Sequence, residues 1–208
     1  MGFTKKAIRT RGKIVKAARE LINSRGFDRV SVEDITKEAG VAKGTFYHYF
    51  TTKEELVKVL SEARFEDLLA ETLAMEGSLP ERLNYYFREL IRDGDRCGVH
   101  LTRRWLRDLM DPSVFHEENL APLKSGVRDV EAILQSAKER GELKEDTPVV
   151  MMARLFMSHL YGAVTLWCMM GGVYSLQAAA DKYQELDVGH VLREYLTDLG
   201  RGNRQGHI

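Results

Sequence analysis

Cysteine, proline and tryptophan are scarce in this 208-residue chain, at two, four and two residues. Cys97 and Cys168 lie far apart with no CxxC spacing, which excludes a disulfide scaffold and fits reduced thiols in a cytoplasmic protein. So few prolines, with no long polar tract, exclude a disordered chain. No apolar run precedes the first basic residues, so no secretory leader is expected. Met1-Gly2 opens like a myristoylation signal, but position 6 is Lys6 rather than Ser or Thr, and that reading fails. GxSxG, Walker, Rossmann and zinc-hydrolase motifs are also absent, which removes the usual sequence grounds for an enzyme. His100 and His159 sit in no HxxxH or HExxH pattern, so neither a metal nor a cofactor is expected.

What is present is an ordinary soluble composition, 44% hydrophobic and 30% charged, in a chain long enough for a small domain joined to a larger one. The formal net charge is zero, yet it is unevenly spread. Residues 1–53 hold seven Lys and five Arg against five acidic residues, a net +7, which leaves −7 on the remainder. A basic head on an acidic body points to a head that meets a polyanion.

The head reads as short helices. Ile14, Ala17, Ala18, Leu21 and Ile22 recur at helical spacing between Lys13 and Arg25, and Gly26 stops that helix. Ser31 caps a second helix with acidic residues in its first turn, and Gly40-Val41 turns into a third helix over about 42–50. Thr52 and Glu55 fit the capping box of a long fourth helix. Two short helices joined through a glycine turn make a helix-turn-helix, whose second member enters the DNA major groove. The third helix, "AKGTFYHYF", mixes rings, hydroxyls and a lysine. Such a mixture suits contacts to base edges and phosphates, while Phe46 and Phe50 suit the core of the head.

The body, from about residue 54, reads as all helix. Pro80 opens one helix, Val99–Met110 is a second, Leu123–Arg140 a third, and Thr147-Pro148 starts a fourth. That fourth helix carries no Lys, Arg, Asp or Glu from Leu155 to Val173, so a membrane span must be weighed. Ser158 and His159 near its middle, Arg154 before it and the lack of a basic flank argue against one. A helix packed on its own domain on one side and on a partner on the other is expected instead. Val188, Val191, Leu192, Tyr195, Leu196 and Leu199 form an apolar stripe at i, i+3, i+4, i+7, i+8 and i+11, the expected dimer surface. The tail 201–208 has no apolar periodicity and is expected to be disordered.

From about Lys13 to Leu56, and above all in "AARELINSRGFDRVSVEDITKEAGVAKGTFYHYFTTKEEL", the chain resembles the tetracycline-repressor (TetR) family of bacterial transcription regulators. The resemblance implies an all-α fold with a helix-turn-helix domain at 1–53 and a helical effector-binding and dimerisation domain at 54–200. It places Lys43 and Gly44 near bases, Thr45 at a phosphate, Tyr47 at a phosphate or thymine methyl, and His48 beside the DNA backbone. Lys53, at the start of the fourth helix, is expected on a phosphate. Ala42 departs from the family's usual Ser and removes one cap or phosphate contact.

The family holds a small effector in the body. Candidate lining residues are Phe65, Tyr86, His100, Trp105, Phe115, Phe156 and His159, each of a type that also fills helical cores. Arg103, Arg104 and Arg107 could meet an anionic ligand group, although Asp108 and Asp111 stand four residues on to pair with two of them. The expected protein is a homodimeric, cytoplasmic repressor. It binds an inverted-repeat operator in double-stranded DNA, touches no membrane, and leaves its site when a small, mostly apolar organic effector binds. An architectural DNA-binding protein without effector, or an enzyme with a DNA-binding head, are the alternatives.

Overall fold

The computed structural model describes residues 5–111 and 120–201, with side chains except at 5, 57–58, 61–66, 121–122 and 181–187. The described chain is all-α. Its order is α1 (Lys5–Arg25), a 3-10 turn (Phe27–Arg29), α2 (Val32–Ala39), α3 (Lys43–Tyr49), α4 (Lys53–Ala74), α5 (Leu79–Met110), α6 (Ala121–Glu139), α7 (Val149–Met169) and α8 (Leu176–Leu192). Of the expected tail at 201–208, residues 202–208 lie outside the described residues.

The head is built by the apolar spacing of α1. Ile14, Ala17, Ala18, Leu21 and Ile22 fall on one stripe and close over Phe27, Val30, Ile35, Ala39, Phe46 and Phe50, all of them buried. Leu56 of α4 completes this core, with Val59, Leu60, Cys97 and Leu101 packed against it. The head's hydrophobic unit therefore runs past residue 53 into α4 and onto α5. Helix α1 starts at Lys5, eight residues before the expected start at Lys13, and Lys6 to Gly12 extend it as a mostly exposed, basic stretch.

The body's main core gathers Leu79, Leu83, Tyr86 and Phe87 of α5, Val130, Ile133 and Leu134 of α6, and Met152, Ala153, Phe156 and Met157 of α7. Beneath it, Arg82 donates from Nη2 to Glu142 Oε2 at 2.8 Å with both side chains nearly excluded from water. Such a pair adds definition to the core, and removing one partner leaves the other as an uncompensated buried charge.

Two expected helices of the body, one opened by Pro80 and one over Val99–Met110, stand on either side of a sharp kink. Helix α5 is interrupted at Gly98, whose φ +78° and ψ 160° are not helical, and the chain turns there before resuming as helix at Val99. A Cβ at Gly98 would stand 2.9 Å from Asp28 Oδ2, and one at Gly26 would stand 3.5 Å from the Arg96 carbonyl. The bend is thus the place where the body touches the 3-10 turn of the head, and its positive φ is one that glycine adopts freely.

Helix α7 is half buried rather than enclosed by its own chain. Met152, Ala153, Phe156, Met157, Trp167 and Cys168 face inward, while Met151, Leu155, Leu166 and Met169 face solvent. Leu155 and Leu166 lie eleven residues, about three turns, apart on one outward face. Between them Ser158, His159 and Gly162 are also exposed.

The C-terminal stripe behaves differently from its expected role. Val188 and Leu192 are buried in the main body core, and Val191 and Tyr195 pack against it. The helix ends at Leu192, seven residues before Leu199. Beyond it the backbone turns and pairs with the segment after α6: Lys144 N–H donates to the Tyr195 carbonyl at 3.0 Å, and Thr197 N–H to that of Glu142 at 3.0 Å. Leu196 is buried by this closure, and Leu199 remains exposed. The periodicity marked a core-facing stripe, and its apolar side is spent inside the subunit.

Candidate nucleic-acid interface and effector cavity

Helix α2 starts on a full capping box. Asp34 N–H donates to Ser31 Oγ at 3.1 Å, and Ser31 N–H donates to Asp34 Oδ2 at 2.9 Å. These bonds hold the Asp34 carboxyl below the usual carboxylate range, Ser31 being the main cause. Gly40 closes α2 in the left-handed region, φ 65°, and redirects the chain into α3. Ala42 precedes α3 with no side-chain cap, as its lack of a hydroxyl dictates.

Helix α3 has two sharply different faces. Phe46 and Phe50 are inaccessible and hold the helix to the head, their centroids 5.6 Å apart. Lys43, Gly44, Tyr47 and His48, at i, i+1, i+4 and i+5, are exposed on the opposite side, with Thr45 half-buried at its edge. Tyr47 packs edge-on against Phe46, which steadies an otherwise exposed ring. A seven-residue helix thereby presents a cation, a glycine's bare backbone, a phenol and an imidazole together.

Two lysines of this surface are already engaged. Lys43 Nζ donates to Glu33 Oε1 of α2, and the pair raises the lysine pKa and lowers that of the glutamate. The carboxylate holds the ammonium across the turn and also opposes an approaching phosphate. Glu33→Gln should therefore tighten DNA binding several-fold, and steepen its salt dependence by about one unit of log–log slope. Anisotropy titrations at three or more salt concentrations would read both effects.

Lys53 points inward. Its ammonium donates to the carbonyls of Phe27 at 2.9 Å and Val30 at 2.6 Å, and lies 3.8 Å from the centroid of the Phe27 ring. Two of its three N–H bonds thus tie the start of α4 to the 3-10 turn, so the expected phosphate contact is not its main work here. Lys53→Met should cost about 1–2 kcal/mol of head stability through those charge-assisted bonds, read as a lower melting temperature without DNA. At the same helix start, Thr52 Oγ1 accepts from Glu55 N–H at 3.2 Å, as its capping position demands. The Glu55 carboxylate, however, accepts from Thr51 rather than Thr52.

A cavity of about 820 Å³ opens between head and body. Arg19, Ile22 and Asn23 of α1, Thr52, and Glu54, Glu55, Leu60, Asp67 and Glu71 along α4 form one wall. Leu90 to Asp108 of α5 and Leu160, Tyr161 and Val164 of α7 form the other. Trp105 and Tyr161 pack against each other on that second wall, centroids 5.9 Å apart. Burial pushes the Cys97 thiol up to about 12, so it stays protonated in the wall.

Of the seven expected effector residues, Trp105 alone lines this cavity among those described. Tyr86 is buried with its hydroxyl donating to Asp129 Oδ2 at 2.8 Å, and Phe156 is packed on Phe87; both belong to the body core. Their ring type drew attention, but rings fill cores as readily as pockets. His100 and His159 are exposed, His159 on the outward face of α7. Phe115 and the side chain of Phe65 lie outside the described residues.

The arginine cluster is divided. Arg103 Nε donates to the Cys168 carbonyl at 2.7 Å, and Arg107 pairs with adjacent Asp108. Arg104 bridges Glu54 at 3.3 Å and Asp108 at 3.9 Å on the cavity wall. The composition gave no sign that α1 and α4 would share this wall, since neither helix carries an unusual residue there.

Residues 14–60 match the sequence profile of the bacterial regulatory proteins of the tetR family. The chain is 30% identical over 139 residues to the HTH-type transcriptional repressor NemR of Escherichia coli K12, covering 64% of this chain and 68% of that protein. This chain belongs to the TetR family. It is also 27% identical over 183 residues to the fatty acid metabolism regulator protein of Bacillus subtilis, covering 86% of this chain and 93% of that one. A solved structure of the transcriptional regulator FadR from Bacillus subtilis, in complex with stearoyl-CoA, superimposes with a TM-score of 0.55 at 26% identity. It covers 84% of this chain and 96% of its own. As in other TetR-family regulators, a small helix-turn-helix domain precedes a larger helical one.

Proposed function

We propose that this TetR-family protein is a homodimeric repressor that reads an inverted-repeat operator with α3 and releases it when a small organic effector fills the cavity between head and body. The reading divides the chain as a DNA-binding head, residues 1–53, and an effector-binding and dimerising body, residues 54–200. It places the protein in the cytoplasm, acting as a regulator rather than an enzyme. One observation carries it: Lys43, Gly44, Tyr47 and His48 share the solvent face of α3 while Phe46 and Phe50 anchor the other. Gly44 lets backbone approach the duplex, Lys43 and Tyr47 reach base edges and phosphates, and Thr45 and His48 flank them on the DNA backbone. The basic stretch of α1 adds sequence-independent attraction.

The exposed apolar face of α7 supports the dimer. Two copies meeting there would bury Leu155, Leu166 and Met169, and Ser158 and Gly162 let the backbones approach closely. Two heads on a two-fold axis suit half-sites about one helical turn, roughly 34 Å, apart.

The cavity supports ligand response because its walls come from both units. A molecule inside it rests on α1 and α4 on one side and on α5 and α7 on the other. It can therefore favour a head spacing that the operator does not accept. The effect on DNA equals the difference in its affinity for the two spacings. Selecting bound duplexes from a random pool tests the reading. An inverted repeat with separable half-sites is expected, and recovery of sequences with no shared pattern would favour an architectural DNA-binding protein.

A further inference from the structure

Resting on the reading of the cavity as the effector site, we infer that its ligand is a lipophilic organic cation: a flat, ring-bearing molecule with a delocalised or quaternary positive charge. Two independent features of the wall point the same way. The first is charge. Among the described lining residues are six carboxylates and three guanidinium groups. One of those guanidinium groups, Arg104, is shared between Glu54 and Asp108, and a second, Arg96, pairs with Asp93 at 3.3 Å. With Arg107, which also pairs with Asp108 from beside the wall, six carboxylates stand against four guanidinium groups. Charges placed against a low-dielectric wall act more strongly than in open water, so a net excess of carboxylates attracts a cation and repels an anion.

The second feature is the aromatic pair. Trp105 and Tyr161 are both partly buried, tilted 37° to each other, and both line the cavity. Ring faces carry negative potential and favour a desolvated organic cation, tryptophan most of all. Asp108 stands one turn beyond Trp105 on the same helix, so a cation over the ring is within reach of a carboxylate. Leu90, Ile91, Leu101 and Val164 supply the apolar surface that selects an organic molecule over a metal ion or a sugar. A long-chain anionic thioester, the kind of molecule held by the FadR structure from Bacillus subtilis, would place several negative charges against this excess of carboxylates.

The test compares two dyes with the same xanthene framework and opposite charge, rhodamine 6G and fluorescein, together with lauroyl-CoA. Each is titrated into the full-length protein, free and bound to a selected duplex, with dye anisotropy and DNA release as readouts. Rhodamine 6G is expected to bind at least thirtyfold more tightly than fluorescein and to release the duplex. Asp67→Asn combined with Asp108→Asn should weaken rhodamine 6G at least tenfold while leaving fluorescein no weaker. Trp105→Leu should weaken rhodamine 6G further, and Tyr161→Phe, which keeps the ring face, should not. Thermal melting of each variant confirms that it is folded. Fluorescein or lauroyl-CoA binding as tightly as rhodamine 6G, and excluded by Val164→Trp, would overturn the cationic class while leaving the cavity as the effector site. Equal binding of every probe by wild type and Val164→Trp would overturn both readings.

Discussion

Leu155→Glu with Leu166→Glu should produce a folded monomer that binds its operator about 100-fold or more weakly than the wild type. Both leucines are exposed in the subunit, at 40% and 47%, so the glutamates disturb no internal packing. In the dimer they would bury four carboxylates at an apolar seam, a cost far beyond what the lost leucine contacts alone would cause. The fall in operator affinity follows from losing the second head. Two linked heads bind with an avidity some 10²–10⁴ above either alone, and a monomer forfeits that factor. Sedimentation velocity and operator anisotropy on the same sample check both halves. A variant that remains dimeric would move the interface elsewhere.

The second large effect separates the two faces of α3. Phe46→Ala should destabilise the head by about 3–5 kcal/mol, because it opens a cavity in a core where Phe46 has no solvent exposure. Few small head domains retain their fold after such a loss, so DNA binding should vanish with protection of the α1 and α2 amides from hydrogen exchange. Tyr47→Ala, one residue along, should cost no more than about 1 kcal/mol, the worth of one edge-on ring contact with Phe46. It should nonetheless weaken operator binding strongly. Equal loss of stability in the two variants would mean that Tyr47 is a packing residue.

How legible each region was depended on whether its physics is local. Capping, glycine turns and helical apolar spacing are encoded within a few residues. The Ser31 box, the Gly40 reversal and the opposition of Phe46 and Phe50 to Lys43 and Tyr47 could therefore be read before any coordinates. The break before Val99 was legible and stands at Gly98, but its contact with Asp28 of the head was not. Partner choice was not legible. The stripe from Val188 to Leu196 is as apolar as an interface requires, and nothing in its spacing tells core from dimer seam. Lys53 shows the same limit, since a lysine at a helix start reads as a phosphate ligand until the carbonyls of Phe27 and Val30 are found beneath it. The effector wall was hidden because it is assembled from α1, α4, α5 and α7, segments up to about 145 residues apart in sequence, from Arg19 to Val164.

The most direct measurement is the ratio of affinities for a selected inverted-repeat duplex and for the same duplex with its half-sites scrambled. It is taken by anisotropy at near-physiological salt, for the wild type and for Lys43→Ala with Tyr47→Ala. The exposed face of α3 predicts a wild-type preference on the order of 10³ or more. In the double variant the preference should fall at least tenfold while residual, salt-sensitive binding persists through the basic α1. Equal affinity of the wild type for the two duplexes, or an unchanged ratio in the double variant, would contradict the assignment of α3 as the reading surface.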